Sequence, residues 1–326
     1  MVAAESPTVI PPADRLDTSE MDSVRRARLL PAIAIAALSL LMSARYLFGG
    51  VGYVLDDWFA LGNAHFEGSW AAPGSGQWHA RPGGGAVYAF VFGFLGGKPL
   101  VAFILLAAIG AGNAVLFWKL ASRFLPTTMA TAAVVAWVVF PNHTSLEVWL
   151  AATNIALAVL LTLAGLLLML EPRRACRAAA CALFVMAALN YQAVMPAIAG
   201  LTVLLPWIER GRPDLRLIGA VGVSQGIAGG WIVANWDSDK GVQGVVDLSQ
   251  IPAAHLGWGV VPAGPVGQVV LLTALAVLLI PVGRLIVRRG ECGPVEWTTV
   301  VGLVVIALGV LPFARYFYAP IGAGDR

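Results

Sequence analysis

Charged side chains are scarce. Asp, Glu, Lys and Arg supply 12% of the 326 residues and hydrophobic types 59%, whereas a soluble domain carries about 25% charge. That shortage excludes an ordinary water-soluble fold. With apolar runs of about 18 residues or more, it points to a polytopic membrane protein cored in lipid. Cysteine is nearly absent: Cys176, Cys181 and Cys292 are odd in number and match no metal-ligand spacing, so they read as small buried apolar residues. Basic residues form no single clustered face, which excludes nucleic acid as a partner. The apolar runs themselves hold no Asp, Glu, Lys, Arg or His, which speaks against ion-coupled alternating access.

Nine spans are expected: Leu29–Ala44, Pro99–Trp118, Leu125–Pro141, Val148–Leu170, Ala178–Leu189, Ala193–Ile208, Leu217–Ala234, Val266–Gly283 and Thr298–Leu311. Residues 1–28 read as a disordered cytoplasmic tail, and 29–326 as one all-α transmembrane domain. Arg25, Arg26 and Arg28 precede the first run, but no small-residue cleavage site follows it, so the first span is read as uncleaved. The segment Gly83–Leu95 is apolar but short, which suits a re-entrant or interfacial helix.

Charge asymmetry sets the orientation. With Gly83–Leu95 not crossing, 15 of the 21 Lys and Arg fall on one side, in clusters at residues 15–28, 119–123, 173–177, 210–216 and 284–289. The positive-inside rule makes that side cytoplasmic. The expectation is a plasma (inner) membrane protein with its N-terminus inside. Its external or periplasmic face then holds the 55–97 loop, the 235–265 loop and the C-terminus.

The loop Leu55–Pro82 concentrates the chemistry. Asp56 and Asp57 open a helix whose Trp58, Gly62, Phe66 and Trp70 recur every four residues, the pattern of an interfacial helix lying flat on the membrane. One Asp suffices as a cap; two adjacent carboxylates hold a proton more tightly or share a cation. Arg81-Pro82 starts the next helix, where a guanidinium and the helix N-terminus together suit an anion. Lys98 and Arg315 are further external cations. Glu147 and His143, in the second external turn, are candidates for a second acid serving acceptor or metal. His79 is a candidate proton carrier and Trp58 a candidate for stacking on carbohydrate.

An acid pair after the first span, an interfacial helix, Arg81-Pro82 leading a short helix that ends Phe94-Leu95-Gly96, and then regular spans together resemble the GT-C superfamily of membrane glycosyltransferases. The resemblance is to enzymes using polyprenyl-phosphate sugars, relatives of the protein mannosyltransferases and aminoarabinose transferases. It covers 29–170 well and the remainder in hydropathy alone. It implies a GT-C-like fold and an inverting transfer of a hexosyl or pentosyl group from a polyprenyl-phosphate donor to an envelope glycan, lipid or protein acceptor. Asp56 would be the general base, and Asp57 its partner or a metal ligand. Arg81, with Lys98 and Arg315, would stabilise the departing phosphate. The one cofactor admitted is a divalent cation, magnesium or manganese, at Asp57 and Glu147. Members commonly carry further spans or a soluble C-terminal domain, so a truncated chain is expected. The alternative is a non-catalytic membrane protein, either a degenerate GT-C-like subunit or a lipid-linked glycan transporter.

Overall fold

The computed structural model describes residues 18–48, 52–53, 56–96, 98–139, 149–210 and 214–235. Every regular element among them is helical. In order they are α1 (Thr18–Phe48), α2 (Asp56–Glu67), a 3-10 turn at Ser69–Ala71, α3 (Ser75–Ala80) and α4 (Pro82–Tyr88), whose last part widens into π turns at Ala89–Phe94. There follow α5 (Pro99–Ala121), α6 (Thr127–Val139), a 3-10 turn at Leu150–Ala152 running into α7 (Thr153–Met169), α8 (Arg174–Asn190), a 3-10 turn at Gln192–Val194, α9 (Met195–Arg210) and α10 (Leu215–Ala234).

Among the described residues, four helices are long and apolar enough to cross a bilayer: Pro99–Ala121, Leu150–Met169, Gln192–Arg210 and Leu215–Ala234. At a rise of about 1.5 Å per residue, ~20 residues match a hydrocarbon core of about 30 Å. Three other expected spans are helices with shorter apolar stretches. Leu29–Ala44 lies inside α1, which begins at Thr18 within the segment read as a tail. Among the described residues the Leu125–Pro141 run contributes the 13 residues of α6, and α8 has 17 residues with Arg174 and Arg177 in its first turns. The expected spans Val266–Gly283 and Thr298–Leu311 lie outside the described residues.

One end of the bundle is tied by ion pairs. Arg123, just past α5, reaches Glu209 at 2.8 Å and Glu171 at 3.0 Å. Arg177 and Arg210 both pair with Asp214, at 3.1 and 3.5 Å. The Leu170 carbonyl, left unpaired by the end of α7, accepts from Arg123 and Arg210. Asp214 also caps α10 by accepting from the Leu217 amide. The ends of α5, α7 and α9 and the starts of α8 and α10 therefore meet here. Three of the basic clusters counted in the sequence converge at this arginine end.

Glycine permits a close helix contact. A methyl at Gly165 of α7 would lie 2.5 Å from the Phe184 ring of α8, and that ring is wholly buried. Leu166, Met169, Ala180, Ile198 and Val221 surround it in the core shared by α7, α8, α9 and α10.

The opposite end carries α2, α3 and α4. Here Phe92, Tyr88 and Val91 pack with Phe103 and Leu106 of α5 and with Leu150 and Ala151. Gly83 and Gly84, at the start of α4, approach Asn190, while Phe92, at its far end, meets Tyr53. Both ends of Pro82–Phe94 thus contact the same end of the bundle, and the segment does not run along the bundle's length.

Candidate functional site

The hub of this end is the first turn of the Leu150–Met169 helix. A helix begins with amides that have no partner inside it and a partial positive charge. Asp57, in the first turn of α2, answers that need: its Oδ1 accepts from the Ala151 amide at 2.8 Å, across 94 residues of sequence, and the side chain is fully buried. The carboxylate therefore fastens the surface helix to the long one. Thr153 closes the same turn by donating to the Leu150 carbonyl at 2.7 Å.

Tyr53 stands beside Asp57. Its hydroxyl donates to the Gly96 carbonyl, and its ring meets Trp58 edge to face at 5.5 Å. Burial, followed by the negative charge of Asp57, pushes the Tyr53 phenol above its ordinary value.

The helix headed by Arg81 meets the long helix near Asn154. Arg81 is the N-cap of α4, with Pro82 at the first helical position as the sequence leads one to expect. Its side chain is half-buried, and among the described residues its guanidinium has neither an ion pair nor a hydrogen bond. The three glycines behind it let α4 sit very close to its neighbours. A methyl at Gly84 would lie 2.9 Å from the Asn190 carbonyl oxygen and 3.4 Å from Asn154 Nδ2, and one at Gly85 would strike Trp78. Asp57 meets the long helix at Ala151 and α4 meets it near Asn154, three residues on.

A wall of aromatic rings flanks the hub. Trp78 donates to the Trp70 carbonyl at 2.7 Å, and Trp70 contacts Trp78 and Phe94 with centroids at 5.8 and 5.4 Å. Trp231 of α10 donates to the His79 carbonyl at 3.0 Å. Trp58, Leu61, Gly62, His65 and Phe66, on one face of α2, line an open groove of about 590 Å³ with Phe92, Gly93 and Gly96. Neither Asp57 nor Arg81 lines it.

Of the residues singled out from the sequence, Asp56 opens α2 and Asp57 and Arg81 adjoin the hub. Trp58 is exposed at the groove, and Lys98 is exposed at the start of α5. The His79 side chain is exposed, and its backbone rather than its imidazole makes the described contact. His143, Glu147 and Arg315 lie outside the described residues. Among the described residues no group of three His, Cys, Asp or Glu gathers as a metal site. Asp57 has one oxygen committed to an amide, and its side chain is closed to solvent.

Sequence reasoning passed over Asn154, and it took Asn190 only as part of a turn. Both are almost fully buried at this end, 5% and 4% exposed, and each has an Oδ1 with no hydrogen-bond partner among the described residues. An uncharged amide within an apolar run was the available signal.

Comparisons with protein-family models, curated proteins and solved structures return no match.

Proposed function

We propose that this chain is an inverting membrane glycosyltransferase of the GT-C type, acting on a polyprenyl-phosphate sugar at the external face of the membrane. The observation that carries the reading is the meeting of two chemically opposite elements on one helix turn. The acid-led helix α2 is pinned at Ala151, and the arginine-led helix α4 is packed near Asn154. A carboxylate and a free guanidinium on one frame match the two charges a glycosyl transfer must manage.

Asp57 is assigned as the positioning residue, because its carboxylate is occupied with the Ala151 amide. Asp56, the adjacent residue at the head of α2, is assigned as the general base. It takes the proton from an acceptor hydroxyl as that oxygen bonds to the anomeric carbon. The bond from that carbon to the phosphate oxygen breaks, and the electron pair leaves with the polyprenyl phosphate. Arg81 stabilises the charge that develops there. No step is routed through a metal ion. The exposed Trp58, Phe59, Phe66 and Trp70 suit seating in the interfacial layer.

The test is sugar transfer in membranes holding the full chain. Asp56→Asn is expected to lower transfer by about 10²–10⁴-fold, the usual contribution of a general base. Undiminished transfer by a correctly inserted variant sinks the assignment. One observation favours the non-catalytic alternative, in which the acid pair only builds the fold: the buried Asp57 carboxylate caps the Ala151 amide. In that case wild-type membranes show no transfer at all.

A further inference from the structure

We infer that the arginine end of the bundle holds an anionic phospholipid, whose headgroup is bound by Arg173, Arg174 and Arg216. The site lies at the opposite end from α2 and α4 and is independent of the catalytic reading. Among the described residues, all four helices long and apolar enough to cross a bilayer have an end here. Pro99–Ala121, Leu150–Met169 and Gln192–Arg210 finish at this end, and Leu215–Ala234 starts from it. Ion pairs hold those ends at one level, through Arg123 with Glu171 and Glu209 and through Arg210 with Asp214. Side chains at that level meet the headgroups of one leaflet.

The acids of that network are already committed. Glu171 and Glu209 face Arg123, and Asp214 faces both Arg177 and Arg210. Arg173, Arg174 and Arg216 are exposed, and among the described residues none of them has an ion pair or a hydrogen bond. The Arg177–Asp214 pair, at 3.1 Å, draws the heads of α8 and α10 together, so the unpaired arginines stand on adjoining helix heads. Arg173 is the N-cap of α8 and Arg174 its first residue, with no acid in the first turn and no side chain capping it. Cations at a helix start oppose its dipole, and a phosphate beside them removes that conflict.

The surface beyond the cations selects a lipid over a free anion. By helical spacing, Arg216 shares one face of α10 with Gly219, Val223 and Ile227. That face is bare: Val223 is 66% and Ile227 64% exposed, and a methyl at Gly219 would meet open space. From the head of α10 inward it runs from cation to uncovered backbone to branched aliphatic side chains. Phosphate, glycerol and acyl chain follow in the same order along a phospholipid. A guanidinium takes a phosphate through two parallel hydrogen bonds. A zwitterionic headgroup would bring its own cation to this cluster, so an anionic one is preferred.

The experiment titrates the delipidated full chain, in mixed micelles, with dioleoyl phosphatidylglycerol or dioleoyl phosphatidylcholine and counts bound lipid by native mass spectrometry. The wild type should retain phosphatidylglycerol in preference to phosphatidylcholine. Arg173→Ala, Arg174→Ala and Arg216→Ala should each weaken phosphatidylglycerol roughly fivefold, the worth of one basic side chain at an anionic surface. All three should leave phosphatidylcholine unchanged. Lys119→Ala removes an exposed cation near the same end of α5 and should change phosphatidylglycerol binding by less than about twofold. A loss in Lys119→Ala equal to that in the arginine variants overturns the site, because the attraction then belongs to the basic end as a whole. Equal retention of the two lipids by the wild type overturns it, as does unchanged phosphatidylglycerol retention in the three arginine variants.

Discussion

Replacing Asp57 separates building from catalysis at this site. The carboxylate is fully buried and holds the Ala151 amide at 2.8 Å, and Ala151 is itself buried. In Asp57→Ala the charged acceptor is lost, a change worth about 1.5–3 kcal/mol, and an amide at a helix start is stranded without water. The two effects overlap, so about 3 kcal/mol is expected. Asp57→Asn keeps an acceptor oxygen of the same reach and loses only charge assistance, so about 1 kcal/mol is expected. The assay is unfolding of the purified full chain in mixed micelles, followed by helical circular dichroism over a denaturant series. The order should be wild type, then Asn, then Ala, with the larger step between Asn and Ala. Equal stability of Ala and Asn would refute the capping role. Asp57→Asn should also retain measurable transfer, since a positioning residue is partly replaced by its isostere.

Three further outcomes follow from the described contacts. Gly165→Ala drives a methyl to 2.5 Å from the Phe184 ring and should cost about 1–2 kcal/mol net of its helix-propensity gain, read in the same unfolding assay. The Tyr53 phenol should titrate above the ordinary 10.0, seen as the tyrosinate absorbance missing from Tyr53→Phe, and Asp57→Asn should lower it part of the way, since burial is the larger cause. Its contribution to stability is present in full below pH 10.0 and is lost as the pH rises through the higher folded-state value. Transfer should survive EDTA, because Asp57 is committed to a backbone amide; abolition by EDTA with rescue by magnesium or manganese would overturn the metal-free step.

Local features of the site were legible in the sequence because their causes are local. Adjacent acids favour a helix start, and Pro82 fixes the backbone at the head of α4; both helices begin where those residues stand. The shortness of Gly83–Leu95 marked a segment that does not run along the bundle, and its two ends meet one end of the fold. What stayed hidden depends on distant partners. Nothing near Asp57 shows that Ala151, 94 positions away, needs a cap. Nothing near Gly83 or Gly84 shows that Asn190 will press against them. Span boundaries blurred for a similar reason: hydropathy counts Leu125 and Pro126 as apolar, although Pro126 precedes the helix and α6 starts at Thr127. The cap that Asp57 makes was equally inaccessible, since composition cannot tell a carboxylate facing a helix end from one left to solvent.

The most direct test of the central claim is the anomeric configuration of the product. The purified full chain would be reconstituted with a polyprenyl-phosphate sugar and an acceptor, and the new linkage read by nuclear magnetic resonance. The proposed mechanism predicts a product inverted relative to the donor, with polyprenyl phosphate released in equal amount. It also predicts loss of both products in Asp56→Asn, and a fall of about 10²–10³-fold in Arg81→Ala. Retained configuration, or product formed equally by wild type and both variants, would contradict it.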